Sequence, residues 1–252
     1  MIIKKPSESD IPILKTLWKE AFDDEDNFIE DFFLKGFSFD RSLCAFENSE
    51  PISVVYWFEC ECSAKKTAYV YGVATRKIHR GKGLGTTLLK NVHEALKNSG
   101  YSGVILVPAK PALFDFYKRL GYKDSAYIEE QKFNASNKKE EFKTVNADEY
   151  FTERQKYLEE GSIILSGDAF RFLDSLVYFY VGEDFVSATQ KDEGELFCVE
   201  FLGNREKIKG FIKSLGYGEG CFRLKGEKKP FAMFLPLKEN VSAPRYLGFA
   251  FE

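Results

Sequence analysis

The sequence is short of the side chains that disulfide scaffolds and metal sites require. Its 252 residues contain five cysteines and two histidines, and no two cysteines have the Cys-x-x-Cys spacing of a zinc site. An odd and small number of cysteines in a chain of this length does not build a disulfide framework. We therefore expect reduced cysteines packed as small apolar side chains, no bound metal and a cytoplasmic location.

Long apolar runs and an excess of positive charge are also missing. No stretch approaches the roughly 18 apolar residues of a membrane-spanning helix, and the first residues lack the pattern of a signal peptide. Lysine and arginine number 36 against 39 aspartate and glutamate, which gives a net charge of −3. Nucleic-acid binders usually carry a basic surface. We expect a globular protein whose partners include neither a membrane nor a nucleic acid.

Strand-like and helical patterns alternate along the first half of the sequence. Helices are predicted from Asp10, over 27–35, directly after Gly85 and over Pro111–Leu120. The predicted strands are, in order, Met1–Lys5, Ser42–Phe46, Ile52–Cys62, Thr67–Thr75, Val104–Val107 and Ser125–Phe133. This order indicates antiparallel pairing early in the chain, followed by one β-α-β crossover.

The second half begins after an almost wholly polar segment, residues 134–143, which predicts a linker. The heptapeptide from Phe116 to Tyr122 recurs from Phe211 to Tyr217 with five of seven positions identical, and each copy follows a strand-like run. The repeat predicts that the second half is a degenerate copy of the first. If so, Ile212 stands where the first copy has Tyr117.

An apolar run, Gly167 to Tyr180, stands out within the second half because it contains five aromatic residues. Its composition predicts a helix that is too apolar for a free surface. We expect this run to pack on a neighbour, which is either the first domain or another subunit, as in a homodimer.

A glycine-rich turn, Arg80-Gly-Lys-Gly-Leu-Gly85, joins a predicted strand to a predicted helix. Glycines at a helix N-terminus let backbone N–H groups point at one spot without obstruction by Cβ atoms, and the helix dipole adds positive charge there. Arg80 and Lys82 supply further charge. The turn therefore indicates a phosphate or pyrophosphate site. Its spacing matches neither the nucleotide P-loop nor the dinucleotide fingerprint.

This turn resembles motif A of the GNAT superfamily of acyl-CoA-dependent N-acetyltransferases. The resemblance extends to Gly72-Val-Ala-Thr75, to the strand Val104–Val107 and to Phe116-Tyr117-x-x-x-Gly121-Tyr122, and it covers about the first half of the chain. It implies an α/β (α+β) fold with a mixed, mostly antiparallel central sheet flanked by helices, followed by a second, smaller GNAT-like α/β domain. We expect a catalytic domain over 1–137 and a degenerate GNAT-like domain over 145–252.

The resemblance also implies roles for individual residues. Acetyl-CoA would be the co-substrate, and its pantetheine arm would bind the main chain of Val73, Ala74 and Thr75. The residues that would hold the pyrophosphate are Arg80, Gly81, Lys82, Gly83, Gly85 and Thr86. Tyr117 would protonate the departing thiolate as general acid. The acceptor would be a primary amine of a small molecule or peptide, and the alternative function is a non-catalytic acyl-CoA-binding sensor or scaffold.

The general base is the one role that the resemblance leaves without a residue. Many family members carry a glutamate on the strand before motif A, where this chain reads Ala68-Tyr-Val-Tyr71. The open candidates are a water held by backbone carbonyls, Glu59, Glu61 and the C-terminal carboxylate. The last follows from a second resemblance, since the Gly-Val-Ala-Thr strand and the tandem arrangement are similar to the enhanced-intracellular-survival group of aminoglycoside acetyltransferases, which use a terminal carboxylate.

An acidic run follows the first predicted helix and has two interpretations. It comprises Asp23, Asp24, Glu25, Asp26, Glu30 and Asp31. These carboxylates could wall an amine-acceptor site by charge complementarity. They could equally be the solvated start of a helix, which the helix dipole favours. For the nearby phenylalanines, Phe28, Phe32, Phe33, Phe37 and Phe39, we favour packing over lining of a cleft.

Overall fold

The computed structural model describes residues 1–191 and 194–251, which form two compact units. Unit 1 contains Met1–Asp124, Ile164–Phe172 and Ala232–Ala243. Unit 2 contains Ser125–Ile163, Leu173–Phe231 and the residues from Pro244 onward. The domain boundaries at 137 and 145 stay a prediction, because they divide the chain by function whereas the units are defined by packing.

Unit 1 contains the first strands and helices of the chain. Its helices are α1 (Ile11–Phe22), α2 (Asp26–Asp31), α3 (Leu84–Asn98) and α4 (Pro111–Lys118), and a π-helical turn, Phe32–Gly36, follows α2. Its strands are β1 (Ile2–Lys4), β2 (Ser42–Glu47), β3 (Glu50–Cys62), β4 (Lys65–Thr75) and β5 (Gly103–Leu106). These bounds lie close to those predicted from periodicity and β-propensity.

The sheet of unit 1 is mixed and mostly antiparallel. Its strands follow the order β1-β2-β3-β4-β5, and β5 pairs in turn with Met233–Pro236, which belong to the strand Lys229–Pro236 near the end of the chain. Along this order β4 and β5 run parallel, the other printed pairs are antiparallel, and α3 provides the crossover between β4 and β5. The predicted fold class is confirmed, including the single β-α-β crossover.

A β-bulge interrupts the pairing of β3 with β4 at Gly72. Val55 pairs with Val73, but the next residue of β3, Tyr56, pairs with Tyr71, so Gly72 is left without a partner on β3. The φ of Gly72 is +72°, and a Cβ there would come within 3.0 Å of the Tyr56 ring. Glycine is thus favoured at this position by conformation and by space. The bulge bends β4 before its last three residues.

The two faces of this sheet carry different cores. One face packs α3 and α4 through aliphatic side chains such as Leu88, Val92 and Val104. The other face carries a cluster of aromatic rings around Trp18, whose ring centroid lies 4.3 Å from that of Phe32. The cluster also contains Phe22, Phe28, Phe33, Tyr56 and Tyr71. These contacts agree with packing as the role of the phenylalanines after the first helix.

Unit 2 contains most of the remaining elements. Its helices are α5 (Ala147–Arg154), the end of α6 (Asp168–Leu176) and α7 (Ile208–Ser214). The remaining strands are β6 (Lys123–Asn134), β7 (Phe142–Val145), β8 (Ile163–Leu165), β9 (Val177–Gly182), β10 (Phe185–Gln190), β11 (Leu196–Gly203), β12 (Glu219–Lys225) and β13 (Lys229–Pro236). The sheet of unit 2 has the order β6-β12-β11-β10-β9-β7. Among the helices within 1–191 and 194–251, none is long and apolar enough to cross a bilayer.

Two predictions about these elements were wrong. The predicted helix over Gly167–Tyr180 ends at Leu176, because the next residues form β9, where Val177 and Phe179 are buried and Tyr178 between them is exposed. That alternation is typical of a strand. The predicted linker is also shorter than expected, since its last two residues already belong to β7.

The two copies of the heptapeptide lie at the ends of helices that are not equivalent in the fold. In unit 2, β11 and β12 are parallel and α7 joins them, just as α3 joins the parallel strands β4 and β5 in unit 1. By connectivity α7 is therefore the counterpart of α3, although its sequence resembles that of α4. The shared Leu-Gly-Tyr is a local signal for the end of a helix. It carries no information about which strands the helix connects.

A buried polar network lies at the centre of unit 2. The Glu200 carboxylate accepts two hydrogen bonds from Arg154, at 2.8 and 2.9 Å, and one each from the hydroxyls of Tyr150 and Tyr246, at 2.6 and 2.8 Å. Arg154 also donates to the carbonyl of Leu247. Both charged side chains are almost completely buried. The network therefore holds the C-terminal segment against α5 and β11.

We predict that Arg154→Met strongly destabilises the protein. The substitution leaves the buried Glu200 carboxylate without its counter-charge, which costs about 3–5 kcal/mol of unfolding free energy. Arg205→Met is the matched control, because the ion pair of Arg205 with Glu129 is about half exposed and contributes less than about 1 kcal/mol. Urea denaturation followed by circular dichroism measures both, and equal losses in the two variants would contradict the prediction.

Candidate active site

The glycine-rich turn places an uncapped helix N-terminus next to the end of β4. Gly81 and Gly83 have φ values of +75° and +76°, and no atom lies within 4 Å of a Cβ built at either position. No side chain caps α3, and its first helical bond runs from the Thr87 N–H to the Gly83 carbonyl at 3.0 Å. The three preceding N–H groups have no acceptor within the helix. They are suited to bind an anion.

Gly85 has a different role from the other two glycines of the turn. Its backbone is not in the left-handed region, and a Cβ there would touch only Thr75 Oγ1, at 3.8 Å. The backbone conformation therefore does not require glycine at this position. The missing side chain instead keeps the space in front of the helix N-terminus open.

The Arg80 side chain of the turn contacts the end of β4 and α1. Arg80 Nε donates to the Thr75 carbonyl at 2.9 Å, and a terminal nitrogen of Arg80 donates to the Glu20 carbonyl at 3.4 Å. Both acceptors are neutral, so the guanidinium charge stays available to an anion. The Glu20 carboxylate accepts the Lys77 N–H and pairs with Arg76 at 3.4 Å. Glu20, which the sequence analysis missed, thus links α1 to the turn.

Strands β4 and β5 part before the turn is reached. Their parallel ladder comprises three pairs and ends at Tyr69 and Ile105. Beyond this point, residues 73–75 still pair with β3 on one edge. Their other edge has no pairing with β5. This leaves backbone N–H and C=O groups that can accept an extended ligand, as a further strand would.

The structure brings most of the predicted site residues to one region. Arg80 contacts Thr75, and Gly85 lies beside Thr75, so the turn and the free edge of β4 are contiguous. Val73 packs against the same apolar cluster that contains Tyr117. Lys82, by contrast, is exposed and has no contact that fixes it among the described residues.

Tyr117 is held inside the core formed by α3 and α4. Only 7% of its surface is exposed, and its ring packs edge-on against the rings of Phe116 and Tyr122, with centroids 5.0 and 5.6 Å away. Burial raises the pKa of Tyr117 to about 12. At neutral pH the phenol therefore carries its proton and can donate it.

Tyr122 connects Tyr117 to α3. Its hydroxyl shares a hydrogen bond of 2.7 Å with Nε2 of His93, and burial lowers the pKa of His93 to about 4. His93 is therefore neutral at pH 7. No sequence pattern predicts a role for His93, whose one local signal is its position next to Val92, a buried residue of α3.

The base candidates differ in their surroundings. Glu59 is exposed, pairs with Lys66 at 2.8 Å and accepts a hydrogen bond from the Tyr101 hydroxyl at 2.9 Å. The contact with Lys66 holds the pKa of Glu59 below its usual range, which makes this carboxylate a poor base. Glu61 is exposed as well. The C-terminal carboxylate belongs to Glu252, which lies outside the described residues.

Most of the acidic run after α1 is engaged in local contacts. The partnered carboxylates are Asp24 with Trp18 Nε1 at 2.8 Å, Asp26 with Lys19 at 3.3 Å, Glu30 with Lys15 at 2.5 Å and Asp31 with Lys35 at 2.8 Å. Neighbouring lysines thus offset much of its negative charge. These contacts favour the interpretation as a solvated helix start. Within the described ranges, no group of His, Cys, Asp and Glu side chains is arranged to hold a metal ion.

We predict that His93 makes folding stability depend on pH. Because its pKa is lower in the folded chain than the ordinary value of about 6.5, the unfolded chain binds more protons between these two values. Stability is therefore lost as pH falls from about 6.5 towards 4. Denaturation at a series of pH values should show a smaller loss for His93→Gln than for the unsubstituted protein. Parallel curves would contradict the prediction.

Comparison with known proteins identifies the family. Residues 2–124 match the model of the acetyltransferase (GNAT) domain. No curated protein matches the sequence at a significant level. The fold is similar to that of a GCN5-related N-acetyltransferase from Anabaena variabilis, with a TM-score of 0.73 and 13% identity, covering 94% of this chain and 73% of that one.

Two further solved structures share the fold. Eis1 from Mycobacterium abscessus has a TM-score of 0.70 and 11% identity, covering 94% of this chain and 74% of that one. A GCN5-related N-acetyltransferase from Sphaerobacter thermophilus has a TM-score of 0.55 and 12% identity, covering 97% and 98%. At these identities the likeness concerns the fold. The family match identifies residues 2–124, just under half of the chain, as a GNAT acetyltransferase domain, which makes the protein an acyltransferase.

Proposed function

We propose that this protein is an N-acetyltransferase that moves the acetyl group of acetyl-CoA to a primary amine of a small molecule or peptide. The observation that carries the proposal is the contact between the uncapped N-terminus of α3 and the free edge of β4, which meet at Thr75. An anion site adjoining an unpaired strand edge suits a ligand with a pyrophosphate and an amide-bearing arm. Acetyl-CoA has both.

The donor would bind along β4 and the turn. The pyrophosphate would accept hydrogen bonds from the backbone of Gly81, Gly83 and Gly85 and from Arg80, with Lys82 and Thr86 beside it. The amides of the pantetheine arm would pair with the main chain at residues 73–75, where β5 no longer covers β4. The thioester would then lie toward the core that contains Tyr117.

The reaction is a direct transfer. The amine nitrogen attacks the thioester carbonyl, a C–N bond forms and the C–S bond breaks. Tyr117 donates its hydroxyl proton to the departing thiolate, and its raised pKa means that the hydroxyl carries this proton at neutral pH. The amine loses a proton to a base, and of the candidates a water held by backbone carbonyls fits best, because the Glu59 carboxylate is held by Lys66.

The catalytic domain would comprise residues 1–137, and residues 145–252 would be a degenerate copy. The shared order of strands, with α7 and α3 each joining a parallel pair, supports a tandem origin. The segment before α7 has no open glycine turn. Its basic residues also form ion pairs, Arg205 with Glu129 at 2.6 Å and Lys207 with Glu140 at 2.9 Å. The copy would therefore have lost donor binding.

We expect Gly85→Ala to weaken acetyl-CoA binding without unfolding the protein. The new methyl group fits the free chain but enters the space proposed for the pyrophosphate. Isothermal titration calorimetry should show affinity lower by about tenfold or more, equivalent to ~1.4 kcal/mol. Gly218→Ala is the matched control, because a Cβ there meets no atom within 4 Å. Unchanged affinity in Gly85→Ala would refute the placement of the pyrophosphate.

We expect Tyr117→Phe to lower the rate of thiol release by about 100-fold or more, the usual contribution of a general acid. Free thiol would be measured with acetyl-CoA and a panel of primary amines that includes lysine, spermidine and an aminoglycoside. Acetyl-CoA affinity should not change. If the protein binds acetyl-CoA but turns over no amine, the sensor or scaffold function is supported instead.

A further inference from the structure

We propose that His93 is a positioning residue that acts through Tyr122 to orient the phenol of Tyr117 for proton donation. The proposal rests on the function proposed above, in which Tyr117 is the general acid. In that function His93 itself would contact neither the donor nor the acceptor. His93, Tyr117 and Tyr122 all belong to unit 1.

The first link is the hydrogen bond between His93 and Tyr122. The Tyr122 side chain is 2% exposed, and its hydroxyl lies 2.7 Å from Nε2 of His93. A buried hydroxyl that loses its partner costs about 1–3 kcal/mol. The Tyr122 ring is therefore held at the angle that keeps this bond. Because His93 is neutral at pH 7, the bond does not depend on a charge that titrates there.

The second link joins Tyr122 to Tyr117 in two ways. The Tyr122 N–H donates to the Tyr117 carbonyl at 3.2 Å, which closes the end of α4. The two rings also pack edge-on, with an interplanar angle of 66°. A rotation of the Tyr122 ring would thus press on the Tyr117 ring inside a tightly packed core, where side chains have little room to shift.

These two links give α3 a second function. Its N-terminus would bind the pyrophosphate, and His93, nine residues from Leu84 and about 14 Å further along the helix, fixes the acid. One rigid element would then set both the position of the donor and the position of the group that protonates its sulfur. Rigid support of this kind is what preorganised proton transfer requires.

The experiment removes the hydrogen bond from each side, with and without Tyr117. His93→Leu and Tyr122→Phe are made in the unsubstituted protein and in Tyr117→Phe, and steady-state kcat and KM are measured with acetyl-CoA and the most reactive amine of the panel. In the presence of Tyr117 each substitution should lower kcat by about tenfold, with the KM for acetyl-CoA within about twofold. In Tyr117→Phe neither should lower the rate further.

Rescue and control variants separate positioning from general damage. His93→Gln keeps a polar group that can bond the Tyr122 hydroxyl and should restore most of the rate. Tyr178→Phe alters a half-exposed tyrosine in unit 2 and should change nothing. Equal rate losses with and without Tyr117, or no rescue by His93→Gln, would overturn the proposal. A Tyr117→Phe variant of full activity would instead refute Tyr117 as the acid.

A measurement without turnover completes the test. Ring signals of Tyr117, assigned by their disappearance in Tyr117→Phe, are followed by NMR in protein with labelled tyrosine. His93→Leu and Tyr122→Phe should both shift them, whereas Tyr178→Phe should not. Tyr117 signals that stay in place in His93→Leu would overturn the proposal whatever amine the protein uses.

Discussion

The parting of β4 and β5 is the constraint on which the proposed chemistry depends. A continuous ladder would satisfy every backbone group of β4 and leave no edge for a ligand. Here the ladder stops after three pairs, and the bulge at Gly72 bends the strand just beyond that point. The edge of β4 that β5 leaves unpaired is not a defect of the fold, because it lies where the proposed donor would form hydrogen bonds.

Helix α3, which follows the glycine-rich turn, makes the free edge of β4 part of the candidate site. Gly81 and Gly83 let the chain reverse from strand to helix within a few residues, which leaves the first N–H groups of α3 exposed. The other end of the same helix packs into the aliphatic core that holds Tyr117. The proposed binding and acid groups are thus both positioned by one helix, and the distance between them is fixed by helix geometry rather than by loops.

Much of the fold, and the position of the glycine-rich turn in the candidate site, could be predicted from the sequence, because the decisive signals are local. Glycine spacing, strand composition and helix periodicity each describe a few neighbouring residues, and Arg80 to Gly85 lies where these signals place it. The end of α6 at Leu176 was missed, because an apolar run of helix and strand looks continuous in sequence. The link from His93 to Tyr122 was missed as well, since it joins positions 29 residues apart.

The helix-stop heptapeptide shows how a local signal can mislead about topology. Both copies end a helix, yet α7 lies between the paired parallel strands β11 and β12, whereas α4 lies between β5 and β6 in the chain. The acidic run after α1 gives a related lesson. Its sequence indicates a strongly charged surface, but lysines from α1 and the π-helical turn pair with three of its six carboxylates. Net local charge depends on which side chains the fold brings close, and composition does not determine this.

The pairing of β5 with Met233–Pro236 has a consequence for how the protein is made. The strand that completes the sheet of the acetyltransferase unit is synthesised more than a hundred residues after that sheet is begun. Until then the backbone of Gly103–Leu106 is an open edge, which attracts other extended chains. A ribosome-bound intermediate would therefore expose an unpaired strand edge for about half of its synthesis, and a chaperone that shields such edges would raise the yield of folded protein.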